Sequence, residues 1–173
     1  MLLKILSTVF SKVFTAGIGF IVAIITARAL GAAVRGDIAL LLLNISIIGL
    51  FQGIFNGSVL VYLTPKFSFL KLFIATNLFS FALAVGLPFV MVFFRILESN
   101  QLNELILLSS VQGLLTTSQS LLLGKDKIQY FNLLEIIKST ILFLSILFFF
   151  WGMNNISLEA VMHSYLLSYS IPL

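Results

Sequence analysis

Four long stretches of the chain contain no charged side chain. They cover residues 38–65, 72–94, 105–124 and 139–158, and they are 28, 23, 20 and 20 residues long. About 20 apolar residues in a helix cross the roughly 30 Å hydrocarbon core of a bilayer, and a helix satisfies its own backbone polar groups there. The sequence therefore predicts an all-α fold, a polytopic transmembrane helix bundle.

The amino-acid composition excludes most soluble classes of protein. The chain is 60% hydrophobic and 9% charged, against about 25% charged residues in an ordinary soluble domain. The longest polar interruption, residues 98–104, predicts a loop and nothing larger. We therefore expect no extramembrane catalytic domain and no enzymatic activity. The ten basic residues are scattered along the chain, which is not typical of a protein that binds nucleic acid.

Motifs that bind cofactors or metals are absent from the sequence. The chain has no cysteine, which excludes disulfides, thiolate metal ligands and a cysteine nucleophile. It also has no phosphate-binding P-loop, no His-Glu-x-x-His zinc motif and no Gly-x-Ser-x-Gly nucleophile motif. We therefore expect neither a cofactor nor a metal, and nothing indicates an ATPase or a membrane protease.

Turn-forming residues divide the chain into about six predicted spans. We place helices at residues 5–29, 38–64, 70–94, 103–123, 130–153 and 156–173, as a single transmembrane bundle over residues 1–173. No polar tail or basic anchor follows the sixth segment. Because many transporters are built from two related bundles, we expect a truncated chain or one half of a longer transporter.

The basic residues predict the orientation of the bundle. Lysine and arginine in short loops favour the cytoplasmic side. With the N-terminus inside, seven basic residues fall on the inner side and three on the outer side: Lys4, Lys12, Lys66, Lys71, Lys125, Lys127 and Lys138 against Arg28, Arg35 and Arg95. A cytoplasmic N-terminus is therefore predicted.

Polar residues share one face of the fourth predicted helix. At 100° per residue a single arc of about 120° holds Ser109, Gln112, Gly113, Thr116, Gln119 and Ser120. Two interpretations are open: hydrogen bonds to packed neighbouring helices, or the wall of a hydrated cavity. In the second helix, Asn56 has an amide to satisfy, and Gly49, Gly53 and Gly57 predict close packing against another helix.

Two charged residues flank the first helix, and the apolar segment between them is shorter than the hydrocarbon core of a bilayer. Residues 13–27 extend only about 22 Å at 1.5 Å per residue, less than the roughly 30 Å core. Lys12 or Arg28 must then lie at hydrocarbon depth. The side chain either snorkels to the nearest surface or faces the bundle interior.

Two further pairs of charged or titratable residues have helical spacing. Glu135 and Lys138 are i, i+3 neighbours, and Glu159 and His163 are i, i+4 neighbours. Each pair is either a simple surface pair or part of a proton or ion path, since histidine titrates near neutral pH.

Three short segments resemble a known family. They are Ala27-Arg28-Ala29-Leu30-Gly31 with Arg35-Gly36-Asp37, Gly57-Ser58-Val59-Leu60-Val61-Tyr62-Leu63-Thr64-Pro65-Lys66, and Leu121-Leu122-Leu123-Gly124-Lys125-Asp126-Lys127 with Tyr130. Together they resemble polysaccharide flippases of the multidrug/oligosaccharidyl-lipid/polysaccharide exporter superfamily.

The resemblance implies a protein of about 12 to 14 helices in two bundles, of which this chain would be the first. Such flippases carry lipid-linked oligosaccharide, of the undecaprenyl-diphosphate type, from the inner to the outer leaflet of the inner (plasma) membrane by alternating access. The product is O-antigen, capsule or another surface polysaccharide. The implied partners are this substrate, membrane lipid, a C-terminal half and other glycan-assembly proteins.

Other members of the superfamily and of the pathway are alternatives. Cation-coupled multidrug exporters typically have a carboxylate in the first helix, and residues 5–27 contain none. The peptidoglycan-precursor branch carries arginines in that helix, where this chain has none between Lys12 and Arg28. A non-transporting membrane protein, for example an assembly partner or a polymerase of the same glycan pathway, is a further alternative. Such polymerases usually need a large external loop, and none is visible in these 173 residues.

A lipid-linked diphosphate sugar is an anion with a large polar head, so its carrier needs a cationic, hydrogen-bonding cavity. We expect two basic residues, Lys12 and Arg28, to attract the diphosphate. Four polar residues are predicted to contact the sugar hydroxyls: Asn56, Gln112, Thr116 and Gln119.

Overall fold

The computed structural model describes residues 2–95, 97 and 101–173, with the backbone alone for residues 2–4. All regular secondary structure in this part of the chain is helical, which confirms the predicted all-α class. The helices are α1 (Leu2–Asn56), α2 (Ser58–Leu63), α3 (Phe69–Phe93), α4 (Leu102–Gly124), α5 (Ile128–Leu147) with a π-helical turn (Phe148–Gly152), and α6 (Leu158–Ser170).

Helix α1 is 55 residues long and is interrupted at Gly31, where φ is 80° and ψ is 174°. Without a break it would extend about 80 Å, far more than the roughly 30 Å core of a bilayer. Gly31 divides it into residues 2–30 and 32–56, each long enough for one crossing. The sequence predicted a connection over residues 30–37. The structure corrects this, because a single non-helical glycine separates the two helical segments.

Replacing Gly31 by alanine is expected to destabilise the protein by about 1–3 kcal/mol, because only glycine adopts this region of φ and ψ without strain. A Cβ atom there would meet nothing within 4 Å, so the cost arises from the backbone and not from a clash. The measurement is the unfolding temperature of the detergent-solubilised protein. Gly36→Ala, at a helical and open position, is the matched control. Equal unfolding temperatures for both variants would contradict the prediction.

Glycine also breaks the second predicted helix, residues 38–64. Gly57 has φ −88° and ψ −129°, so α1 ends at Asn56 and α2 follows as a short helix. A Cβ on Gly57 would lie 2.7 Å from the carbonyl oxygen of Gly53. The prediction of one continuous helix was wrong here. The predicted loop 98–104 lies partly outside the described residues, and its last three residues belong to α4.

Among the described residues, four helical stretches are long and apolar enough to cross a membrane: Ile5–Leu63, Phe69–Phe93, Leu102–Gly124 and Ile128–Gly152. The protein is therefore compatible with a membrane location. The first stretch is long enough for two crossings. Helix α6 has 13 residues and a length of about 20 Å, so the count of six spans stays a prediction.

Packing divides the chain into two compact units. The first unit contains the chain up to Leu40 together with Ile128–Pro172, and the second contains Leu41–Lys127. In the second unit α4 packs against α2 and α3, and Gln52 in the last part of α1 bonds to both α3 and α4. Its buried apolar residues include Ile45, Ile48, Leu60, Ala84 and Leu108. The single bundle over residues 1–173 stays a prediction.

Candidate functional site

The first unit contains a partly open cavity of about 410 Å³ with a mostly apolar surface. Its size is typical of small-molecule sites. Helices α1, α5 and α6 all contribute to its wall. Eight of the twelve lining residues are polar or charged: Lys12, Thr15, Glu135, Lys138, Ser139, Tyr165, Ser168 and Tyr169. We call this the α1–α5–α6 cavity.

Three charged side chains form an ion cluster at this cavity. The Nζ atom of Lys12 lies 3.6 Å from Oε2 of Glu135, and Nζ of Lys138 lies 3.2 Å from Oε1 of the same carboxylate. The side chain of Glu135 is 14% exposed, against 29% for Lys138 and 55% for Lys12. Two ammonium groups and one carboxylate give the cluster a net charge of +1. Lys12 therefore lies at the cavity and is paired across two helices.

Asn132 fixes α5 against the start of α1, one helical turn before Glu135. Its side chain is 2% exposed and donates hydrogen bonds to Oγ1 of Thr8 at 3.0 Å and to Oγ of Ser7 at 3.3 Å. Lys12 lies one helical turn after Thr8, and Glu135 lies one turn after Asn132. The contact of Asn132 with Thr8 therefore brings Glu135 next to Lys12. The sequence analysis missed Asn132. An amide in an apolar helix, three residues before a carboxylate, is the signal that points to it.

Two tyrosines of α6 also line the cavity. The ring centroids of Tyr165 and Tyr169 lie 6.2 Å apart, and both residues line the cavity. Neither phenol hydroxyl donates a hydrogen bond to another residue in the described part of the chain. The sequence analysis missed these tyrosines, although their i, i+4 spacing places them on one helix face.

The structure does not bring Arg28 to the ion cluster. Arg28 is exposed and does not line the cavity. It lies 16 residues after Lys12 in a helical segment, which corresponds to about 24 Å along the axis. A single diphosphate cannot extend over that distance. Lys12 and Arg28 thus lie at separate places, and the attraction of the diphosphate by these two residues stays a prediction.

The second titratable pair of the sequence analysis lies apart from the cavity. Glu159 and His163 are both exposed on α6, and among the described residues they form no ion pair with each other. The ring of His163 lies 6.3 Å from that of Phe149. A role for Glu159 and His163 in a proton or ion path stays a prediction.

A buried polar network joins three helices of the second unit. Gln52 on α1 donates from Nε2 to the carbonyl oxygen of Ser80 on α3 at 3.1 Å and to that of Ser109 on α4 at 3.2 Å. Asn56 donates from Nδ2 to Oγ of Ser80 at 2.7 Å and to Oγ1 of Thr116 at 3.5 Å. These contacts correspond to the interhelical interpretation of the polar face.

The remaining predicted sugar contacts lie on α4 in the same unit. Gln119 is buried, and Gln112 is half-buried with an Oε1 atom that has no hydrogen-bond partner in the described part of the chain. A Cβ on Gly49 would lie 3.3 Å from Nε2 of Gln112, so this glycine packs closely. Gly53 does not, because a Cβ there would meet nothing within 4 Å. Contacts of Asn56, Gln112, Thr116 and Gln119 with sugar stay predictions.

Comparison of the chain with protein-family models, with curated proteins and with solved structures gives no significant match.

Proposed function

We propose that the chain is the first helical bundle of a flippase that moves lipid-linked oligosaccharide from the inner to the outer leaflet by alternating access. The substrate class is a sugar joined to a polyprenyl lipid through a diphosphate, for surface polysaccharide biosynthesis. We place the protein in the inner (plasma) membrane, as a multi-pass protein with a cytoplasmic N-terminus. It acts as a transporter and not as an enzyme.

The ion cluster at the α1–α5–α6 cavity carries this proposal. Ionisable groups within membrane helices are costly and usually mark a substrate or ion pathway. Ammonium groups make short, charge-assisted hydrogen bonds to phosphate oxygens, and two of them, from Lys12 and Lys138, line the same cavity. The phenols of Tyr165 and Tyr169 supply further donors beside them. The two ammonium groups are the feature of this mostly apolar cavity that suits a diphosphate headgroup.

The second candidate is a cation-coupled multidrug exporter, and one observation favours it. A carboxylate, that of Glu135, lines the same cavity and faces α1, although it comes from α5 and not from the first helix. Such a carboxylate could bind a coupling proton or a cationic drug.

Deletion of the gene for this chain in its own host separates the two candidates. We expect loss of the surface polysaccharide and accumulation of lipid-linked oligosaccharide on the inner leaflet, measured by glycan electrophoresis and by mass spectrometry of extracted lipids. Re-expression of the gene should reverse both effects. Normal surface polysaccharide with increased sensitivity to cationic drugs would contradict the flippase and support the exporter. Normal polysaccharide with unchanged drug sensitivity would contradict both.

A further inference from the structure

The two lysines of the cavity already hold an internal anion. Both oxygens of the Glu135 carboxylate are engaged: Oε2 with Lys12 at 3.6 Å and Oε1 with Lys138 at 3.2 Å. Carboxylate and phosphate oxygens are equivalent partners for an ammonium group, since both are anionic hydrogen-bond acceptors. A phosphate that enters the cavity therefore meets lysines whose charge is partly neutralised.

We propose that Glu135 is a built-in competitor of the substrate: the anionic headgroup displaces its carboxylate from Lys12 and Lys138 to bind, and the carboxylate returns as the headgroup leaves. This inference rests on the proposed function, in which the cavity binds a lipid-linked diphosphate. It assigns Glu135 a role in substrate release, distinct from that of a proton carrier.

The partial exposure of the ion cluster makes this exchange feasible. Ion pairs that water reaches are weak, whereas a fully buried pair is costly to separate. The side chains of Lys12 and Lys138 are both partly exposed, and that of Glu135 is not fully buried. The carboxylate can therefore leave the lysines at a modest cost.

The backbone around the cluster is held by other contacts. Asn132 ties α5 to α1 through Thr8 and Ser7, independently of the charges. Rotation of the Glu135 side chain can then exchange the anions while the helices keep their positions. The exchange fits a transported substrate, which has to bind well enough to enter the cavity and weakly enough to leave it.

Binding of farnesyl diphosphate, a short lipid diphosphate, tests the proposal. The probe is radiolabelled and the intact protein is held in nanodiscs of neutral phosphatidylcholine, with empty nanodiscs as the blank. We expect Glu135→Gln to bind the probe roughly three- to tenfold more tightly than the wild type, and Lys138→Met to bind it more weakly by a similar factor. Opposite signs at neighbouring positions of one helix would not arise from a merely structural role.

Two further variants test whether a change in the net charge of the protein explains the change in affinity, and unfolding temperatures test whether a change in folding does. Glu135→Ala removes the carboxylate without adding an amide, and it should also bind more tightly. Asp37→Asn removes one negative charge from an exposed position of α1 outside the cavity, and its affinity should equal that of the wild type. Unfolding temperatures establish that each variant is folded.

Each result decides between the claims. If both Glu135 variants bind the probe more tightly than the wild type, the proposal is supported. The same holds if both variants bind it and the wild type binds it too weakly to detect. If the wild type binds the probe and either Glu135 variant binds it equally well or more weakly, the competitor role is overturned. The flippase proposal then still stands. If neither the wild type nor any variant binds the probe, the competitor role and the flippase proposal are both overturned.

Discussion

Replacing Lys12 by leucine is expected to lower the export of surface polysaccharide by roughly tenfold or more. A charge-assisted hydrogen bond contributes about 1.5–3 kcal/mol, and about 1.4 kcal/mol corresponds to a factor of ten. The change also lowers the net charge of the ion cluster from +1 to zero, because the carboxylate of Glu135 then cancels that of Lys138. The measurement is the amount of surface polysaccharide per cell, normalised to the amount of membrane-inserted protein.

Two control variants isolate the role of the charge at the cavity. Lys12→Arg keeps the charge and should retain most of the export. Lys71→Leu removes a lysine from an exposed position of α3, on the side of the membrane that we also predict for Lys12. It therefore reproduces any effect of the substitution on membrane orientation. Undiminished export by Lys12→Leu at normal protein level would remove Lys12 from the mechanism.

Replacing Gly124 by alanine is expected to destabilise the second unit by about 2–3 kcal/mol. A Cβ on Gly124 would lie 2.5 Å from both Cβ and Oγ1 of Thr64. Thr64 is buried, and its hydroxyl donates to the carbonyl oxygen of Leu60 at 2.7 Å. The clash therefore cannot be relieved by the end of a flexible side chain, and overpacking of this kind costs about 1–3 kcal/mol.

The unfolding temperature of the purified protein measures this effect. A loss of about 2–3 kcal/mol should lower it by about 4–12 °C for a chain of this size. Gly53→Ala is the matched control, because a Cβ at this helical position of the same unit meets nothing within 4 Å. Alanine there should be neutral or slightly stabilising, since it favours the helix over glycine. An equal unfolding temperature for the two alanine variants would show that α4 and Thr64 are not in close contact.

The helices could be predicted closely from the sequence because a membrane imposes long uncharged segments. The predicted span 70–94 corresponds to Phe69–Phe93, and the predicted span 103–123 corresponds to Leu102–Gly124. The continuity of α1 on both sides of Gly31 could not be predicted. A cluster of small residues typical of a connection is equally compatible with a helix when neighbouring packing favours it.

The candidate site could be predicted only in part. Lys12, Glu135 and Lys138 are all recognisable as charges in apolar segments, and the spacing within α5 predicts the neighbourhood of Glu135 and Lys138. Helical periodicity relates residues of one helix, however, and carries no information on the contact between α1 and α5. The tyrosines of α6 were missed because tyrosine in a membrane helix is also typical of the lipid–water boundary.

The buried amide of Gln52 bonds to main-chain oxygen atoms at positions 80 and 109. Every amino acid has a main-chain carbonyl oxygen. The two acceptors of these hydrogen bonds therefore remain when a different residue that fits the space occupies either position. The donor has no such redundancy, since the side chain of Gln52 supplies both of these hydrogen bonds. Tolerance to substitution is therefore unequal within this contact. Position 52 needs an amide that reaches two helices, whereas position 109 supplies only its main chain to Gln52. Position 80 is constrained a second time, because its hydroxyl accepts a hydrogen bond from Asn56.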